Sequence, residues 1–436
     1  MTILHLRLDR VNGVPILNSN AMPVRLRREQ RIREAVLLSF CDPLPEQCSL
    51  LRRLSGRDWR RLLYWLDTSG LALYFLDRMT ELQLREVFPP AVLARLQENL
   101  VDNTERTQGM IDESNAIHRE FQDAQFSYAI LKGFSLWPHS VPKPWLRSQL
   151  DIDFLIAAKD APQARQILES RGYHLHAISG RSWEFKTNFT PGGSLKDLYK
   201  TVPFRCVELH LEAANQGRPL LLERTENLDF HRVRVPVLSP ADLFLGQGLH
   251  MYKHVCSEFS RTAHLIEFRR HVIARRDDDA FWSEVRLRAQ DNPRASFSLG
   301  VVTLLITQVM GDFAPVAFSS WTVDTLPAFA RLWVERYGHR TVLASVPGSK
   351  LYLLLLRELE VVGVPAKRSL IKALVPLALP PVIAHAPENE TLTALIHRHH
   401  MQLRFVFSRL RFHAVEGLRY AYELRRWRRY TSEFEG

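Results

Sequence analysis

LKGFSLWPHSVPKPWLRSQLDIDFLI, residues 131–156, contains the Asp151-Ile152-Asp153 triplet on which the reading of the chain turns. The apolar residues around the triplet predict a short strand over 150–157. Successive strand side chains point to opposite faces. Asp151, Asp153 and Leu155 therefore share one face, and Leu150, Ile152, Phe154 and Ile156 share an apolar one. The first face carries two carboxylates about 7 Å apart in Cα spacing. Anions that close raise one another's pKa unless something positive sits between them. A divalent cation with a preference for hard oxygen ligands, such as Mg²⁺, meets that need. A bare Asp-x-Asp also suits a solvated strand edge, so the neighbouring stretches have to decide.

Upstream, 128–131 reads as a strand, and Lys132-Gly133-Phe134-Ser135 as a turn into a short helix that Pro138 or Pro142 stops. Downstream, Asp160 is placed to cap a helix with Pro162 in its first turn. Ala164, Ile167 and Leu168 form that helix's inner side, and Gly172 is its expected left-handed terminator. A strand follows from Tyr173. Residues 204–211 then alternate, with Val207, Leu209 and Leu211 on one face and Cys206, Glu208 and His210 on the other. Glu208 is a third carboxylate for the same site.

Helical patterns flank this α/β stretch. The chain divides into an irregular N-terminal arm (1–28), a helical section (29–125), an α/β core (126–235), a second helical section (236–364), and a proline-rich connector with a basic C-terminal helix (365–436). Gly70 is expected to break the helical pattern of 58–79. A long helix over 91–125 is polar through 101–113, which predicts one solvated face. Ser239 caps a later helix that carries His250 and His254 at i and i+4. The last helix displays Arg404, Arg409, Arg411, Arg419, Arg425, Arg426, Arg428 and Arg429.

A net charge of +11 suits an anionic partner, whether nucleotide, nucleic acid or acidic membrane. The start lacks the apolar core of a signal peptide, and no uninterrupted apolar run reaches about 18 residues. Cys41, Cys48, Cys206 and Cys256 show neither metal-ligand spacing nor a disulfide framework. These features predict a cytoplasmic protein without a membrane span.

A strand ending in Leu131-Lys132-Gly133, Arg147 shortly before Asp151-Ile152-Asp153, Gly172-Tyr173, and Glu208-Leu209-His210 together resemble a bacterial family of uncharacterised nucleotidyltransferases. That family looks like part of the superfamily typified by DNA polymerase beta. The likeness extends to His250 and His254, covers about 30–275, and is strongest over 128–211. It implies an α+β fold, with a small mixed-sheet core inserted between N-terminal and C-terminal helical sections. It also implies transfer of an NMP group from an NTP, such as ATP, to a hydroxyl acceptor on a small molecule, protein or RNA. By resemblance, Asp151, Asp153 and Glu208 are the catalytic metal ligands, for Mg²⁺ or Mn²⁺. Lys132, Gly133, Ser135 and Arg147 would contact the nucleotide, with the backbone at Gly133 to Ser135 cradling phosphate and Lys132 or Arg147 neutralising pyrophosphate. Two features depart from the superfamily pattern: the turn Gly133-Phe134-Ser135 replaces Gly-Ser or Gly-Gly, and the interval from Gly133 to Asp151 is long.

Other readings stay open beside these. Lys132 also suits a strand-end cap, and Arg147 a structural partner of Asp153. His210 reads either as a supporting group behind the ligands or as a core histidine. His250 and His254 read as packing or substrate contacts more readily than as zinc ligands, since no His-Glu-x-x-His frame surrounds them. Residues 425–429, Arg-Arg-Trp-Arg-Arg, suit either nucleic-acid binding by charge and stacking or a solvated helix end. A catalytically inactive nucleotide- or nucleic-acid-binding protein on the same fold is one alternative function. A nucleotide-sugar glycosyltransferase using Asp-x-Asp is another, though it calls for a Rossmann-like half that the helical start does not supply.

Overall fold

The computed structural model describes residues 24–187, 198–201, 205–213, 219–258, 261–361, 373–374 and 391–435. Much of the arm expected over 1–28 lies outside these, and residues 24–28 are already helical. Helix α1 spans Val24–Leu38. Helices α2 (Gly56–Ser69) and α3 (Ala72–Glu81) are parted by Gly70 at φ +76°, a left-handed conformation that suits glycine. Helix α4 spans Pro90–Asp123 and leads into the sheet.

The fold is α+β, with a mixed sheet of seven strands set between the N-terminal and C-terminal helical regions. Its strands are β1 (Tyr128–Leu131), β2 (Ile152–Ala157), β3 (His174–Ser179), β4 (Ser182–Lys186), β5 (Cys206–Glu212), β6 (Thr225–Phe230) and β7 (Val233–Leu238). Their order is β3-β4-β5-β2-β1-β7-β6. Strand β2 runs antiparallel to β1 and parallel to β5. Such a sheet is not the doubly wound parallel nucleotide half of a glycosyltransferase.

The face bearing Ile130, Ile152, Phe154, Ile156, Val207 and Leu209 is buried against Ile111, Ile117 and Phe121 of α4. Ala164 and Leu168 of helix α5 (Ala161–Ser170) pack there too. The other face is covered near Leu155 by a small cluster with Ala129, Leu222 and Leu238. Asp153 shares that second face. The larger core lies among the helices, where α1 to α3 meet α6 (Pro240–Val255), α7 (Ala263–Ala274), α8 (Asp279–Ala289) and α9 (Ala295–Met310).

Several expectations need correction. Leu150 precedes β2 and is 48% exposed, so it takes no part in the apolar face. The Asp160 carboxylate accepts the Ser127 N–H at 3.1 Å rather than capping α5. The polar stretch of α4 is not simply solvated. Asn103 donates to the Trp145 carbonyl at 2.6 Å and Arg106 to the Leu198 carbonyl at 2.7 Å. Buried Glu113 accepts from Arg171, Tyr173 and Arg205. Strands β6 and β7 carry no turn signal, because His231 and Arg232 hold the two positive-φ positions where Asn-Gly is usual.

The last helix spans Leu392–Glu435. Arg409, Arg419 and Arg426 are half-buried and ion-paired, to Glu258, Glu416 and Glu423. Trp427 is buried and donates to Glu358 at 2.8 Å, so it offers no face for base stacking. Most of the proline-rich connector lies outside the described residues. No helix among the described residues is long and apolar enough to cross a membrane.

Candidate active site

Register builds the site. Asp153 on β2 stands opposite Glu208 on β5, and Leu155 opposite His210, so both acids and the imidazole line one face of adjacent parallel strands. Lys132 follows β1 directly, and its ammonium reaches between them. Nζ lies 2.7 Å from Asp153 Oδ1, 3.8 Å from Glu208 Oε2 and 3.3 Å from His210 Nε2. His210 Nε2 lies 2.8 Å from Asp153 Oδ1 and 3.4 Å from Glu208 Oε2. Ser182 at the start of β4 donates its hydroxyl to Glu208 Oε1. The ligand atoms of Asp153, Glu208 and His210 all lie within 4.8 Å of one another, a metal-compatible cluster. Asp151 precedes the strand and stands outside that set.

The charges explain one another. The hydrogen bond from His210, aided by Ser182 and Lys132, outweighs burial and holds Glu208 well below the usual carboxylate range. Burial, followed by the charge of Asp153, raises the pKa of Asp151. For His210, burial lowers the pKa, but Asp153 and Glu208 raise it further, to about 9. The imidazole is therefore charged at neutral pH, and its Nε2–H donates to Asp153.

A pH dependence follows. The folded pKa of His210 lies above its ordinary 6.5, so its stabilisation is complete below about pH 6.5 and is lost as pH rises through about 9. Urea unfolding of EDTA-treated protein is expected to show a loss of about 3 kcal/mol over that window, absent in His210→Gln. Parallel pH profiles for the two proteins would refute the pairing.

The turn after β1 is tightly constrained. Lys132 sits at φ +47° and ψ −151°, a strained conformation for a side-chain-bearing residue. Ser135 spends both its N–H and its hydroxyl on the Lys132 carbonyl, each at 2.8 Å, and is 5% exposed. Its donors therefore hold the turn. Gly133 has φ +30°, and a Cβ there would lie 2.3–2.6 Å from the Gln149 side-chain amide. Gln149 cannot simply withdraw, because it accepts from Arg147 at 3.2 Å and donates to the Asp151 carbonyl at 2.7 Å. Gly133→Ala is expected to cost about 1–3 kcal/mol, read as a lower urea midpoint. An unchanged midpoint would mean that the turn tolerates a side chain.

Arg147 does not pair with Asp153. Its Nε donates to Glu267 Oε1 at 3.2 Å, and Tyr74 donates to the same oxygen at 3.0 Å. His250 and His254 lie on α6, where they meet His264 of α7. Sequence reasoning missed Gln149, Ser182, Glu267 and His264. Each comes to its place through tertiary packing, and none belongs to a motif of its own. A hollow of about 450 Å³ lined by His118, Gln125, Tyr128 and Arg234 opens at the other end of β1, away from the carboxylates.

A mixed sheet that brings carboxylates together on adjacent strands, beside a constrained Lys-Gly turn, fits a nucleotidyltransferase-like protein. Residues 55–310 match the model of the family described as uncharacterised nucleotidyltransferase, and the chain belongs to that family. A solved antigenic nucleotidyltransferase-like protein from Paracoccidioides brasiliensis is similar over 46% of this chain and 92% of that one, with 16% identity and a TM-score of 0.27. No curated protein matches.

Proposed function

We propose that this chain transfers an NMP group from an NTP to a hydroxyl acceptor, with a divalent metal. The observation that best supports this is the register of Asp153 against Glu208 with the Lys132 ammonium between them. That ammonium marks the focus of negative charge where a metal ion would be favoured. Two carboxylates are a hard donor set for Mg²⁺ or Mn²⁺, and the His210 nitrogen joins it only when the ion displaces its proton. Asp153 and Glu208 would hold the ion, with Asp151 beside them. A bound ion would polarise the α-phosphoryl group and the acceptor hydroxyl.

This chain's residues supply the rest. The acceptor oxygen bonds to the α-phosphorus, the bond to the pyrophosphate oxygen breaks, and the hydroxyl proton must leave. Asp151 has a raised pKa, and its carboxylate has no ion pair among the described residues. It is the carboxylate best suited to take that proton. Lys132 neutralises Asp153 in the free protein and would turn to phosphate oxygens once a cation takes its place. Arg147, bound to Glu267 and Gln149, acts as a positioning residue.

The test is incubation with each α-³²P-labelled NTP, Mg²⁺ or Mn²⁺, and cell lysate, followed by gel and thin-layer separation. Label on a protein, RNA or small molecule is the expected result. The filling of the acid cluster by Lys132 also favours a second reading, a nucleotide-binding protein without catalysis. Metal-independent NTP binding with no transfer would select it.

A further inference from the structure

We propose that His250, His254 and His264 form a second metal site, for a transition ion of the Zn²⁺ class, separate from the carboxylate cluster. The three imidazoles converge from two helices, and one ligand nitrogen from each lies within 4.8 Å of the other two. Nε2 of His250 and Nε2 of His254 are 3.0 Å apart. Zinc–nitrogen bonds of about 2.0–2.1 Å place tetrahedral ligand atoms about 3.3 Å apart, so that pair already spans close to one edge of a tetrahedron. The His264 ring centre lies 5.0 Å from that of His254 and 5.6 Å from that of His250. Its Nδ1 is buried without a hydrogen-bond partner. A buried imidazole nitrogen with no partner costs free energy that a ligated metal complex of these rings would offset.

The chemistry of the set selects the ion. Three imidazoles and no carboxylate disfavour Mg²⁺ and Ca²⁺, which want oxygen, and favour zinc, cobalt or nickel. Three protein ligands leave a fourth position open.

The surroundings limit the affinity. Lys132 and Arg147 act on the cluster, but each is paired, with Asp153 and with Glu267. Arg261 acts on His264 and donates to Ser148, and its charge opposes a cation. The site is therefore expected to bind more weakly than a closed structural zinc site.

Co²⁺ titration of the metal-stripped full chain tests this directly. One equivalent should give the intense visible bands of a four-coordinate ion, distinct from the weak absorption of any Co²⁺ held among the carboxylates, and Zn²⁺ should abolish those bands. His254→Ala and His250→Ala should each weaken binding by roughly 100-fold or more, the upper end of what loss of even a supporting partner costs. Far-UV circular dichroism on the same samples shows whether each variant is folded. Asp153→Asn should keep the bands, which separates this site from the transfer site whatever the outcome of the NTP assay. Absence of the four-coordinate bands, unchanged bands in both folded histidine variants, or their loss in Asp153→Asn would each overturn the proposal.

Discussion

Asp151→Asn combined with Asp153→Asn is expected to lower nucleotidyl transfer at least about 100-fold while the sheet remains folded. The magnitude follows from what the two carboxylates are asked to do. Nucleotidyl transfer builds negative charge on the attacked phosphoryl group and on the departing pyrophosphate, and charge neutralisation at that point supplies most of the catalysis. Asp153 is 3% exposed and stands at the centre of the cluster, bound by both Lys132 and His210. Replacing it removes an oxygen of the proposed metal site with almost no change in side-chain volume. Asp151→Asn removes the proposed proton acceptor in the same step. Fold survival is expected because the amide oxygen introduced by Asp153→Asn still accepts from Lys132 and Glu208 still faces Lys132 and His210, so the lost pairing lowers the melting temperature without unfolding the sheet. Transfer of α-³²P label, run beside circular dichroism and a melting curve, reads both quantities. Activity within about 10-fold of the parent in a folded double variant would remove these acids from the mechanism.

Strand alternation in the sequence set Asp153 on the face opposite Ile152 and Phe154, because side-chain direction along a strand depends only on parity, whereas Asp151 lies ahead of the strand. The same parity put Glu208 and His210 together, and the observed register of β5 against β2 bears that out. Parity failed at Leu150, where the chain is not yet a strand and the side chain turns to solvent. The metal-compatible set is also not the acid trio the motif suggested. His210 completes the cluster and Asp151 stands outside it, because which residues close a cluster depends on how neighbouring strands meet. Strands β6 and β7 escaped notice because their turn uses His231 and Arg232 in place of residues that usually mark one. His264 had no chance of being read. It meets His250 and His254 only through the packing of α7 on α6, a contact between helices that no spacing within one helix encodes. Charge was the least informative signal. Arg147, Arg261 and the half-buried arginines of the last helix spend their charge on internal partners, so a basic sequence overstates how basic the surface is.

Glu267→Ala is expected to destabilise the protein by about 3–5 kcal/mol, the usual cost of stripping a buried charge of its partner. Glu267 is 2% exposed and accepts from both Arg147 and Tyr74. Its removal leaves a largely buried guanidinium unpaired and a fully buried hydroxyl without an acceptor. Burial first, and the charge of Glu267 second, hold Tyr74 well above its ordinary pKa, so the hydroxyl remains a donor throughout the working range. The effect should reach the candidate active site by a defined route. Arg147 orients Gln149, Gln149 fills the space against Gly133 and donates to the Asp151 carbonyl, and that turn carries Lys132. Arg147→Met combined with Glu267→Met separates stability from positioning. A buried ion pair replaced by apolar side chains of similar volume often folds as well as the parent, so the urea midpoint should recover except for the cost of the Tyr74 hydroxyl, which still lacks its acceptor. Transfer should stay depressed, because Gln149 has lost the donor that aims it. Recovery of both quantities would make the network purely structural. A Glu267→Ala variant within about 1 kcal/mol of the parent would mean that Arg147 finds water or another acceptor when its partner is gone.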